Sequence, residues 1–206
     1  MSSVGVIDCK ISNVDSVCRA LKKCGADVVM ISEPSELDAV SHIILPGQGS
    51  FGQAMNHLSA KDLISPLMAH VVEDKKPLLG ICVGMQILAS IGYEGGVVNG
   101  LGLINGSVKK LKPLSEGERI PHVGWNEVHY AKPSRLLRDV SNDADFYFVH
   151  SYVLRLDGQD VGVATTEYCG GFWSVVEKGN VFGVQFHPEK SQAMGLKVLQ
   201  NFLSFS

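Results

Sequence analysis

The chain has 206 residues, 45% hydrophobic and 19% charged, with 18 basic and 21 acidic side chains and a net charge of −3. This is enough apolar material for one core in a single domain spanning 1–206. The charge balance leaves no basic stripe of the kind that grips nucleic acid; Lys109, Lys110 and Lys112 read as a solvated strand edge. No segment approaches the ~18 apolar residues of a membrane helix, the run 4–7 is too short for a secretory signal, and five cysteines without a Cys-x-x-Cys pair suggest reduced thiols, so a cytoplasmic setting is expected.

Residues 4–8 read as a buried strand. Asn13 then caps a helix with Val14, Val17, Cys18, Leu21 and Cys24 at helical spacing, which ends at Gly25. Cys18 and Cys24 are thereby expected in the core. Residues 27–31 and 42–45 are further strands, separated by a turn and short helix over 32–39, and this alternation predicts an open parallel sheet. The strand 42–45 empties into Pro46-Gly47-Gln48-Gly49-Ser50-Phe51-Gly52, whose glycines let backbone N–H groups approach a ligand at the carboxyl ends of the strands. An amphipathic helix is predicted over 61–72 and another over 84–92, with a strand between them. From 97 to 128, short apolar pieces broken by glycine, proline and charge predict hairpin-like strands appended to the main sheet. Strands over 145–149, 159–166, 172–177 and 181–186 and a closing amphipathic helix over 193–202 complete the chain.

The chemistry concentrates in Leu78-Leu79-Gly80-Ile81-Cys82-Val83-Gly84-Met85-Gln86. A strand that runs straight into a helix turns so sharply that the apex residue is strained, and small residues two positions to either side avoid collision. Gly80 and Gly84 flank Cys82 at that spacing. The thiol would stand at the amino end of a helix, which favours the thiolate, with the Val83 N–H aimed at the same point. A cysteine in apolar surroundings is commonly a small buried hydrophobe, so a base must accompany it. His187-Pro188-Glu189 ends an apolar strand: proline stops the ladder, and side chains two apart project to one side, so Glu189 can orient His187. Pro121-His122-Val123-Gly124-Trp125-Asn126 groups proline, histidine and tryptophan as an exposed interface would, with burial of Trp125 as the alternative.

Together these motifs resemble the class I (triad) glutamine amidotransferases. The likeness is carried by Pro46-Gly47-Gln48-Gly49, by Gly80-Ile81-Cys82-Val83-Gly84-Met85-Gln86 and by Phe186-His187-Pro188-Glu189-Lys190-Ser191. Pro121 to Asn126, Phe148-Val149-His150-Ser151-Tyr152 and Thr165-Thr166-Glu167-Tyr168 narrow it to the glutaminase subunits of imidazole glycerol phosphate synthase. The resemblance implies a three-layer, open, mostly parallel α/β sheet of flavodoxin-like type with an appended antiparallel region. It implies L-glutamine as substrate, Cys82, His187 and Glu189 as triad, and Val83, Gly47 and Gln48 as oxyanion hole. Gly49, Gln86, His150 and Ser151 match glutamine-holding positions, and no cofactor or metal is implied. A (β/α)8-barrel cyclase subunit is the implied partner, in a heterodimer, docking on Asn13, His122, Gly124, Trp125, Asn126 and Lys190. It would receive ammonia to make imidazole glycerol phosphate and AICAR in histidine biosynthesis. One stretch departs from the pattern: Asp8-Cys9-Lys10-Ile11-Ser12-Asn13 lacks the family's glycines and tyrosine. Two alternatives accompany the reading, an ammonia-supplying subunit of a surface-polysaccharide sugar amidotransferase and a catalytically idle binding subunit.

Overall fold

The computed structural model describes residues 2–8, 14–158 and 160–205. Strand β1 (Ser3–Ile7), helix α1 (Val14–Lys23) and β2 (Asp27–Ile31) form a βαβ unit, and β3 (His42–Leu45) follows a 3-10 turn over Pro34–Leu37. Every residue of β3 is buried, as in a strand covered on both faces. β1 pairs in parallel with both β2 and β3, so the sheet grows from β1 in both directions. Right-handed crossovers then put α1 on one face and the helices that follow β3 on the other, with the reversal point at the carboxyl ends of β1 and β3. The expected helix cap Asn13 and the stretch 9–13 lie outside the described residues.

After β3 the chain forms α2 (Phe51–Ala60) and α3 (Ile64–Met68), where the sequence predicts one helix over 61–72. Ser50 and Gln53 make a reciprocal capping box, and Phe51, Ala54, Met55 and Leu58 form a buried stripe, which together start a helix ten residues early. Asp62, at φ 53°, breaks it, and α3 passes into a π turn over Ala69–Glu73. β4 (Leu78–Ile81) pairs in parallel with β3. The helix expected over 84–92 is the single turn α4 (Val83–Gln86), because β5 (Ala89–Gly92) is drawn into pairing with β6 (Val98–Asn99) and β7 (Ile104–Lys110).

The remaining elements are β8 (His122–Tyr130), β9 (Ala144–His150), β10 (Tyr152–Leu156), β11 (Gly162–Thr166), β12 (Phe172–Lys178), β13 (Val181–Val184) and α5 (Gln192–Leu203). The large sheet has the order β2-β1-β3-β4-β13-β12-β11-β8-β9, its first five strands parallel and the rest joined antiparallel. The expected antiparallel extension therefore lies on the β13 side. A separate four-stranded sheet, β10-β7-β5-β6, takes β6 and β7 of the 97–128 region together with β5 and β10. α1 packs on α5 and α2 on α4. Phe146, Phe148, Phe182, Phe186 and Phe202 are fully buried, whereas Cys18 and Cys24, expected in the core, are half-buried at its edge. No helix among the described residues is long and apolar enough to cross a membrane.

Candidate active site

Cys82 joins β4 to α4 at φ 53° and ψ −110°, a region that residues with side chains rarely adopt. Its N–H donates to Val184 O at 2.8 Å and its carbonyl accepts from Gln86 N–H at 3.1 Å, so strand and turn both clamp the apex. The two flanking glycines are needed for close approach. A Cβ on Gly80 would lie 2.5 Å from Gly84 O, and one on Gly84 only 1.9 Å from Leu45 O. Gly47 is held the same way, its Cβ position 2.2 Å from Gly84 N, so the loop after β3 is stacked on the elbow backbone. With α4 reduced to one turn, few aligned peptide dipoles face the sulfur, so the contribution expected of a longer helix is not present there.

That histidine follows the end of β13. His187 Nδ1–H donates to Glu189 Oε1 at 2.8 Å, with side chains only 2% and 3% exposed. Burial alone would depress the His187 pKa, but the charges of the nearby Cys82 sulfur and the Glu189 carboxylate outweigh it and push the ring up to about 10. The imidazole is therefore charged at neutral pH. With Nδ1 given to Glu189, the buried Nε2 is left for the nearby Cys82 sulfur and a reacting group. Such geometry commonly tightens only when substrate is bound.

Cys82 and His187 share a cavity of about 420 Å³. Of the residues the sequence nominates, Gly47, Gln48, Gly49, Val83, Gln86, His150 and Ser151 line it. Glu94 does too, and sequence reasoning missed it; an acidic residue before the Gly95-Gly96 turn was the only available signal. Its Oε2 accepts from Phe51 N–H at 2.8 Å, which fixes the carboxylate at the cavity wall.

His150 contributes differently from expectation. Its Nδ1–H donates to Tyr152 O at 3.1 Å, while its Nε2 accepts from His122 Nδ1–H at 3.1 Å; His122 Nε2 in turn accepts from Asn126 Nδ2 at 3.3 Å. The carbonyl at one end can only accept, which sets both tautomers. Burial pushes His150 down to about 3 and His122 down to about 4, so both rings are neutral and His150 has no ring nitrogen left for a ligand. His122, expected at an exposed interface, is buried and stacked on Phe148 (5.0 Å) and Tyr168 (4.0 Å). Strand alternation explains this: His122, Gly124, Asn126 and Val128 share one side of β8, while Val123 and Trp125, 56% and 47% exposed, take the other. Trp125 meets Tyr147 edge to face at 6.0 Å, and the Lys190 ammonium lies 5.6 Å over the same Tyr147 ring. Lys190 also lines the cavity. Asn13 lies outside the described residues.

A second missed residue is Gln185, fully buried, whose Nε2 lies 3.6 Å from the Cys82 sulfur. Two-residue alternation from His187 could have found it.

A family model described as glutamine amidotransferase class-I matches residues 5–204. The chain is 41% identical over 206 residues to the imidazole glycerol phosphate synthase subunit HisH of Pelagibacter ubique, covering 98% of this chain and 99% of the relative. It is 44% identical over 202 residues to the protein of that name from Moorella thermoacetica, covering 98% and 94%. Among solved structures, PurLQS from Thermotoga maritima superposes with a TM-score of 0.75 at 25% identity, over 98% of each chain.

Proposed function

The chain belongs to the class-I glutamine amidotransferases, and on that premise we propose that it is the glutaminase subunit of an imidazole glycerol phosphate synthase, a cytoplasmic enzyme of histidine biosynthesis. The observation that carries this reading is one cavity in which a cysteine at a strained strand-to-turn apex faces a charged histidine held by a buried glutamate. The near full-length likeness to the HisH relatives selects the pathway.

In this reading the Cys82 sulfur attacks the side-chain carboxamide carbon of L-glutamine, forming a C–S bond while the carbonyl electrons move onto oxygen. The Val83 N–H and the Gly47–Gln48 loop receive that oxyanion. Collapse breaks the C–N bond, the Nε2 proton of His187 goes to the leaving nitrogen, and ammonia departs from a glutamyl thioester. Neutral His187 then takes a proton from water, the hydroxide attacks the thioester, and glutamate leaves as the thiolate is restored. Glu189 holds the ring through both steps. Glu94 offers a carboxylate to the substrate ammonium, with Gly49, Gln86, Ser151 and the His150 segment forming the rest of the pocket. The exposed side of β8 that carries Val123 and Trp125, with Lys190, docks a (β/α)8-barrel cyclase subunit in a heterodimer, and His122, Gly124 and Asn126 support it from the other side of the strand.

The test is glutamine hydrolysis by the chain alone and mixed with the cyclase subunit of the same organism, with Cys82→Ala as control. Strong stimulation that disappears in Cys82→Ala is expected. Absence of both binding and stimulation would overturn the pairing.

A further inference from the structure

We propose that Gln185 is a positioning residue for the nucleophile, an amide whose N–H is compelled to donate to the Cys82 sulfur. The proposal rests on Cys82 being the nucleophile.

Tyr152 O is a backbone carbonyl and can only accept. Gln86 Nε2 lies 2.8 Å from it and must be the donor end of that amide, since the reverse orientation would press two carbonyl oxygens together. The same Nε2 lies 3.2 Å from Gln185 Oε1 and gives it the second hydrogen. With its oxygen so engaged, Gln185 turns its own Nε2 to the sulfur at 3.6 Å. The direction of every bond is thus set by one carbonyl on β10, passed through the turn of the elbow and delivered at the end of β13. The backbone holds the chain in place as well, because Gln185 N–H donates to Ser174 O at 2.9 Å on β12 and the side chain is fully buried. Gln86 has then spent both amide hydrogens on the protein, and only its oxygen remains for anything in the cavity.

A donor at this position has a specific effect. The sulfur carries negative charge before attack and again when it leaves the thioester, and a hydrogen bond to a charged atom is stronger than one to a neutral atom. Besides the His187 ring, the sulfur meets Val149 O at 3.8 Å, an acceptor that can serve only the protonated sulfur. The Gln185 amide therefore serves the ionised sulfur, as Val149 O serves the protonated one.

The test compares Gln185→Leu and Gln185→Glu with the parent chain, in complex with its cyclase subunit for turnover and as the free chain for iodoacetamide labelling of Cys82 followed by mass spectrometry. For Gln185→Leu, labelling of Cys82 and kcat both fall about tenfold or more, the scale of a lost hydrogen bond to a charged group, while KM for glutamine stays within about threefold. Gln185→Glu retains the acceptor for Gln86 and can donate to sulfur only when its carboxyl is protonated. Its activity relative to the parent therefore rises as pH is lowered, a dependence that a purely space-filling role does not produce; the Gln185→Leu ratio stays flat. Parent-like labelling and kcat in Gln185→Leu, or a pH-independent ratio in Gln185→Glu, would overturn the proposal. Hydrolysis surviving in Cys82→Ala would instead remove the nucleophile reading beneath it.

Discussion

Lowering the pH from 7.5 to 5.0 is expected to destabilise the fold through His150. Its folded pKa, pushed down by burial to about 3, lies well below the ordinary histidine value, so the sign is set: the stability it contributes is complete above the unfolded pKa and lost as pH falls through that value towards the folded one. At pH 5.0 the unfolded ring is protonated while the folded ring is not. With an ordinary value of about 6.5 and about 1.4 kcal/mol per unit, the loss is about 2 kcal/mol, a large part of a marginal fold's stability. His122, pushed down to about 4, adds a loss of the same sign. His187 acts oppositely, since its raised value favours the protonated folded state, and carboxylates titrate too, so the total slope is not the readout. The readout is the difference between the parent and His150→Gln, whose amide can replace the bonds to Tyr152 O and His122 without titrating. Urea unfolding at both pH values should show the parent losing about 2 kcal/mol more than the variant. Equal losses would refute a neutral buried His150.

Three further outcomes are expected. Gly84→Ala places a Cβ 1.9 Å from Leu45 O, so the end of β3 and the elbow must separate by about an ångström; thermal unfolding should move down, and glutamine hydrolysis should fall by about 10²-fold. Glu189→Gln removes the carboxylate 2.8 Å from His187 Nδ1, lowering the ring's pKa and releasing its tautomer; kcat should drop by about 10²–10⁴-fold with little change in KM, measured in the assembled complex. Trp125→Ala removes an exposed ring at the centre of the proposed docking face and should weaken association with the cyclase subunit by about 30-fold or more in titration calorimetry, leaving the thermal unfolding of the free chain nearly unchanged.

The parallel half of the fold is legible because its strands are short, nearly continuous apolar runs; the fully buried β3 and the half-exposed edge strand β2 coincide with the predicted 42–45 and 27–31. The helices after β3 are less legible. The glycine-rich run suggests a loop through residue 52, yet Ser50 and Gln53 close a capping box inside it, a local hydrogen-bond pattern that outweighs Gly52. The stretch 84–92 carries an apolar pattern compatible with helix or strand, and what decides it is tertiary: Ala89–Gly92 completes a ladder with two strands that come later in the chain. β10 was missed for the same reason, since Tyr152–Leu156 becomes a strand by pairing with β7.

The candidate site was legible wherever chemistry is tied to sharp local geometry. Gly80, Cys82 and Gly84 declare a turn that few other residues can make, and His187 and Glu189 stand two apart across a proline. What spacing cannot supply is which atoms a polar side chain has left over. His150 and Gln86 do line the cavity, but tertiary contacts with His122, Tyr152 and Gln185 consume both ring nitrogens of the first and both amide hydrogens of the second. A buried polar group must satisfy itself within the protein before it can serve a ligand, and that accounting involves residues up to 99 positions apart. It also reassigns the support of the sulfur. The sequence points to a helix dipole, whereas α4 is a single turn, and the polar groups beside the sulfur are a charged histidine and an amide whose direction is imposed by a carbonyl in the smaller sheet. Under the proposed role of Gln185, one hydrogen-bonded chain ties the second sheet to the chemistry of the first.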